Sequence, residues 1–108
     1  MLVISHATIA RYASEHPLVR SSANTWLARV EAAQWQKMSD VQADFPKASV
    51  LNGERARFEI TGGDYRLIAA IKFNRIVNGR RVNGTVFIKF IGTHSEYDAV
   101  DALSVSQY

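Results

Sequence analysis

The stretch Arg55-Ala56-Arg57-Phe58-Glu59-Ile60-Thr61-Gly62-Gly63-Asp64-Tyr65-Arg66-Leu67-Ile68-Ala69-Ala70-Ile71-Lys72-Phe73 carries a period of two on both sides of a glycine pair. Over 55–61, Ala56, Phe58 and Ile60 alternate with Arg55, Arg57, Glu59 and Thr61, which is the pattern of a half-buried strand. Gly62-Gly63 reads as the turn of a hairpin, because glycine adopts the positive φ that tight turns need. The return strand is predicted over 65–77. Its odd positions (Tyr65, Leu67, Ala69, Ile71, Phe73) form an apolar face, and its even positions (Arg66, Ile68, Ala70, Lys72, Asn74) a mixed one. Asn78-Gly79 or Asn83-Gly84 then reverses the chain into a third strand over 85–92, with Val86, Ile88 and Phe90 on its core side.

The residues before this meander read as helices. Leu2-Val3-Ile4 suits a short strand, and Ser5 suits the N-cap of a helix running to Glu15. Pro17 ends that helix, since the residue before proline disfavours the α region. A second helix is predicted over about 18–35, with Ala23, Trp26, Leu27 and Val30 on one stripe and Trp35 at its end. Ser39 and Gln42 have the spacing of a capping box ahead of Phe45-Pro46. Residues 47–54 read as an irregular connection turning at Asn52-Gly53. The order predicts an α+β fold: two N-terminal helices on one face of a small, mainly antiparallel sheet, with a short C-terminal helix. No repeat or linker divides the 108 residues, so one domain over 1–108 is expected.

Composition narrows the function classes. There is no cysteine, which removes disulfide scaffolds and thiolate metal sites. No apolar run approaches the roughly 18 residues of a membrane span, and the first residues lack a basic-then-apolar leader pattern. A cytoplasmic protein without a membrane partner is the expectation. Thirteen lysines and arginines face ten acids, a formal charge of +3. Their placement says more than their number. Lys72, Arg75, Arg80, Arg81 and Lys89 occur with no acid among them. Strand alternation adds Arg57 and Arg66 to Lys72 and Lys89 on the helix-free face, with Glu59 as its single carboxylate. Such a platform suits a polyanion. The same residues also suit a hairpin kept soluble by its charges.

Past the third strand comes Thr93-His94-Ser95-Glu96-Tyr97-Asp98. A histidine there reaches over the sheet end and is suited to proton transfer near neutral pH. A helical turn would set Tyr97 beside it. The segment equally reads as the start of a C-terminal helix capped by Thr93 or Ser95. His94, Glu96 and Asp98 match no zinc-ligand spacing, so no metal and no cofactor is expected. His6 and His16 read as structural or solvated. No glycine-rich phosphate loop opens a helix, and no serine elbow is present.

The helix-then-sheet order, Gly62-Gly63-Asp64-Tyr65-Arg66-Leu67, and Thr93-His94-Ser95-Glu96-Tyr97-Asp98 together resemble HigB-type toxins of the RelE superfamily. The resemblance covers nearly the whole chain. It implies the toxin of a type II toxin–antitoxin system, an mRNA interferase that works on the ribosome, in its A site. A HigA-like antitoxin with a helix-turn-helix domain would hold it inactive. Metal-free attack of the RNA 2′-hydroxyl on its own phosphate is the implied chemistry. The positions matching the family pattern are Arg66, Lys72, Lys89, His94 and Tyr97. Arg66, His94, Tyr97 and Lys89 are then the candidate catalytic residues, and Arg57, Lys72, Arg75, Arg80 and Arg81 the candidate RNA-binding ones. Two other readings use the same basic face: a non-catalytic RNA- or ribosome-binding module, and a protein-interaction module. The hairpin through 75–83 is longer than compact relatives require.

Overall fold

The computed structural model describes residues 1–108. Two N-terminal helices lie on one face of a mainly antiparallel sheet, and a short helix closes the last strand, as the sequence predicts. In chain order the elements are β1 (Leu2–Ile4), α1 (His6–Glu15), a 3₁₀ turn (Pro17–Val19), α2 (Arg20–Ala32), α3 (Met38–Asp44), β2 (Ser49–Val50), β3 (Arg55–Ile60), a second 3₁₀ turn (Thr61–Gly63), β4 (Tyr65–Lys72), β5 (Arg75–Val77), β6 (Arg80–Val82), β7 (Thr85–Thr93) and α4 (His94–Asp98). The sheet order is β1-β7-β4-β3-β2, and only β1 against β7 is parallel. β5 and β6 form a separate ribbon.

The core sits between α1, α2 and one sheet face. Ala23, Trp26, Leu27 and Val30 are buried along α2 against Phe58 and Leu67. α2 stops at Ala32 rather than near residue 35, because Ala33 turns extended. That exit lets Trp35 leave the helix and enter the core. Its ring stacks with Phe58 (6.5 Å between centroids), and its indole N–H donates to the Asp44 carboxylate at 2.7 Å. The N-caps predicted at Ser5 and Ser39 are not made. Ser5 is left-handed (φ 72°) and makes no side-chain cap bond. α3 begins at Met38, so Ser39 is already inside it.

The strand predicted over 65–77 breaks at Phe73-Asn74. The Asn74 backbone N–H donates to Trp35 O, and its side chain accepts from Gly84 N. These bonds pull the chain out of the ladder and start the ribbon, which turns at Asn78-Gly79, both at positive φ.

Phe90 does not join Val86 and Ile88 in the core. The β4–β7 register pairs Ile68 with Phe90 and Ala69 with Ile88, which leaves Lys89 as the extra residue of a bulge. A period of two then changes phase. Ile91 takes the core side, and Phe90 faces away from the helices, in a row with Ile68 and Arg57.

The helix-free face is not an open platform. The segment after α4 crosses it. Arg55 Nη1 donates to Ala102 O (3.2 Å) and Val105 O (2.7 Å), and Gln107 N donates to Lys89 O (2.9 Å). Ile68 and Phe90 are sealed on that face, at 0% and 1% exposure.

Candidate active site

Register brings the first site residues together. Glu59 and Arg66 are direct cross-strand partners on β3 and β4, and Arg57 lies one pleat away on the same face. The Glu59 carboxylate is 3.8 Å from Arg66 Nη1 and 4.0 Å from Arg57 Nη2. Arg66 Nη1 also donates to Gly63 O. Arg66 is 8% exposed, the only charged residue in the buried set. The Nε atoms of Arg57 and Arg66 are buried and unpartnered. Two guanidiniums held by one carboxylate leave a net positive charge and spare N–H donors, which suits a phosphate.

The glycine turn seats Arg66. Thr61, Gly62 and Gly63 all have positive φ, and a Cβ on Gly63 (φ 97°) would come within 3.1 Å of Arg66 Nη1.

α4 supplies the next groups. It starts with a complete capping box: Thr93 Oγ1 accepts from Glu96 N at 3.1 Å, and Glu96 Oε1 accepts from Thr93 N at 2.8 Å. This fixes a sharp bend at the end of β7, which the His94 N–H reinforces by donating to Asp64 O. Tyr97 turns inward. The Arg57 guanidinium lies over its ring at 5.7 Å, and Phe90 meets it at 6.3 Å. His94 turns outward, with its side chain 56% exposed and Nε2 3.6 Å from Asp98 Oδ1. The partner the structure gives His94 is Asp98, one helical turn on, rather than Tyr97, whose ring meets Arg57 and Phe90. His94 and Tyr97 still stand at the end of the sheet where Arg66 pairs with Gly92.

The remaining cations are dispersed. Lys89 occupies the bulge, and its ammonium lies over the Phe87 ring at 5.7 Å. Lys72 is exposed at the far end of β4, six steps or roughly 20 Å along the strand from Arg66. Arg75, Arg80 and Arg81 line the β5–β6 ribbon beyond it, all exposed. Arg81 Nη1 donates to Gln34 Oε1. The predicted single basic platform is thus two groups: Arg57 and Arg66 under α4, and the ribbon arginines with Lys72 at the other end.

No three His, Asp or Glu side chains are placed to hold a metal ion. Glu96 is held by its capping bonds. No helix is long and apolar enough to cross a membrane.

Three features escaped the sequence reading. Glu59 organises both arginines, and Asp98 engages His94. Beside Thr93 lies an aromatic cluster, with Tyr12 stacked on His16 (4.0 Å) and edge-on to Tyr65 (6.2 Å). The Tyr12 hydroxyl is buried without a partner, and burial, with the Glu96 charge second, pushes its pKa up to about 12. Only the i, i+4 spacing of Tyr12 and His16 pointed to this cluster.

A family model described as HigB_toxin, RelE-like toxic component of a toxin-antitoxin system, matches residues 19–100. The span runs from the start of α2 past the end of α4 and contains every candidate site residue. No curated protein matches the chain.

Proposed function

The chain belongs to the HigB toxin family, the RelE-like toxic components of toxin–antitoxin systems, and on that premise we propose that it is a metal-independent endoribonuclease cleaving mRNA. In this reading the 2′-hydroxyl attacks the adjacent phosphorus, and the bond from phosphorus to the 5′-oxygen breaks. One product ends in a 2′,3′-cyclic phosphate, and the other begins with a 5′-hydroxyl. The 2′-hydroxyl proton goes to a base, and the leaving 5′-oxygen takes a proton from an acid.

Arg66 takes the role of stabilising charge on the pentacoordinate phosphate, with Arg57 beside it. His94, solvent-facing and next to Asp98, serves as base or acid. Tyr97 presents a ring on which a base can stack. Lys89 and, farther out, Lys72, Arg75, Arg80 and Arg81 hold the RNA backbone on either side. The observation that carries this reading is the pairing of Arg57 and Arg66 through Glu59 directly beneath α4, where His94 and Tyr97 sit. The proposed setting is the bacterial cytoplasm, in the ribosomal A site, under control of a HigA-like antitoxin with a helix-turn-helix domain.

The test is inducible expression in a bacterium with mapping of mRNA 5′ ends, wild type against His94→Ala, followed by analysis of the fragment ends. Cyclic-phosphate and 5′-hydroxyl ends formed by the wild type alone support the reading. Intact mRNA, or cleavage unchanged by the substitution, overturns it.

A further inference from the structure

β2 covers only part of the β3 edge. Its pairs are Ser49 with Arg57 and Val50 with Ala56, and Leu51 N donates to Arg55 O. Arg55 and Arg57 therefore turn their backbone groups towards β2. With a period of two, Glu59 turns its N–H and C=O the same way, one step past the last β2 pair. No backbone group meets them there.

That open edge lies in a groove. Two adjoining depressions of about 380 and 290 Å³ share Arg29, Phe45, Glu59 and Gly62. α2 supplies Ser22, Thr25 and Trp26 to one wall, and Lys47 stands on the other. The indole N–H of Trp26 is buried without an acceptor. The groove's acids are already engaged: Asp44 accepts from Trp35, and Glu59 holds Arg57 and Arg66. Neither Arg29 nor Lys47 has an acidic side-chain partner; Arg29 donates to Asp44 O at 3.0 Å and lies over the Phe45 ring at 4.9 Å. The rest of the half-buried Phe45 side chain offers apolar surface to the groove.

We propose that this groove docks an extended, acidic segment of the cognate antitoxin, which adds a short strand to the β3 edge at Glu59. Strand addition supplies the main-chain donor and acceptor that Glu59 lacks, and it brings carbonyl acceptors beside Trp26. An apolar side chain of the segment rests on Phe45, and a carboxylate meets Arg29 and Lys47. An unpaired main-chain edge selects a peptide, since RNA has no alternating donors and acceptors at strand spacing. The site is separate from His94 and the ribbon arginines. The inference rests on membership of a toxin–antitoxin family and not on the cleavage chemistry, so its failure leaves that chemistry standing.

The experiment is amide hydrogen exchange on the toxin alone and saturated with co-expressed antitoxin. It is paired with antitoxin affinity for Lys47→Glu and for Arg29→Glu/Lys47→Glu. The Glu59 amide is expected to slow by about tenfold or more in the complex. The double variant should lose about tenfold or more in antitoxin affinity at unchanged RNA cleavage. Lys47→Glu alone touches no packed group and should weaken binding in the same direction. Unchanged Glu59 exchange in the saturated complex overturns the proposal. So does protection that rises with toxin concentration alone, because a second copy would then be the occupant.

Discussion

Glu59 faces Arg66 directly across the β3–β4 ladder, and its carboxylate lies between Arg66 and Arg57, at 3.8 and 4.0 Å. The carboxylate both orients the guanidiniums and offsets half of their charge. Glu59→Gln keeps the shape and removes the charge. RNA affinity at low salt should rise, and the slope of log K against log salt should steepen by about one phosphate equivalent. Turnover should fall, because the arginines lose their fixed geometry. Filter binding across a salt series, with single-turnover cleavage, reads both.

Removing the groups assigned to the chemistry should separate their roles. Arg66→Ala is expected to lower the cleavage rate by about 10²–10³, the cost of losing one transition-state donor. Arg66→Lys should recover little, since an ammonium cannot reproduce the planar fork. His94→Ala should cost about 10²–10⁴ in cleavage rate. Wild-type toxicity in either alanine variant contradicts these assignments.

Gly63 tests the seat of Arg66. At φ 97°, and with room for no Cβ closer than 3.1 Å to Arg66 Nη1, alanine is disfavoured on both counts. Gly63→Ala should destabilise the fold by about 1–2 kcal/mol and lower cleavage. Gly62→Ala shares the backbone strain but has open space around it. It should lose similar stability and retain activity. Chemical denaturation and a cleavage assay on the two variants decide the point.

Tyr12 predicts an alkaline limit. Its folded-state pKa, pushed up to about 12, lies above the ordinary tyrosine value near 10 because burial and then the Glu96 charge disfavour the phenolate. The folded chain therefore keeps a proton that the unfolded chain releases. Stability from this residue is fully present below about pH 10 and is lost as pH rises towards 12. Tyr12→Phe should remove most of that slope in denaturation midpoints measured between those limits, with Tyr108, also shifted up by burial, leaving a smaller one.

Arg55 anchors the segment crossing the helix-free face through the carbonyls of Ala102 and Val105. Arg55→Ala should free that segment while the sheet stays intact. Limited proteolysis should cut after α4 sooner than in wild type, and the Ile68 and Phe90 side chains should become accessible to an apolar dye. Identical cleavage kinetics would show that the segment is held by other contacts.

The sequence was most legible where a single period governed a single face. Phe58, Leu67, Ile71, Val86 and Ile88 fell in the core as alternation predicted, and Trp26 and Val30 as helical spacing predicted. Phe90 did not, because the bulge at Lys89 depends on pairing across two strands and leaves no mark in β7 alone. The break at Asn74 likewise comes from a tertiary partner, Trp35. At the site, Arg57, Arg66 and Tyr97 were found in one place because register and one helical turn suffice to align them. The partnership of His94 with Asp98 is an i, i+4 pair that needs only the helical turn over His94–Asp98, whereas the crossing segment depends on contacts far from it in sequence.

The bulge has a consequence for how this protein tolerates change. β7 works as two half-strands in series with opposite loyalties: Val86 and Ile88 serve the layer beneath the helices, whereas Phe90 serves the roofed side with Arg57 and Tyr97. Drift in the first half loads the scaffold and leaves the working end alone. Deleting Lys89 would join the halves into a regular ladder with Phe90 and Ile91 still on their present sides. A one-residue slip of the second half against β4 would instead carry Phe90 into the scaffold and Ile91 out of it. Selection for sturdiness and selection for activity thus act on different halves of one strand, and the extra residue between them keeps the two apart.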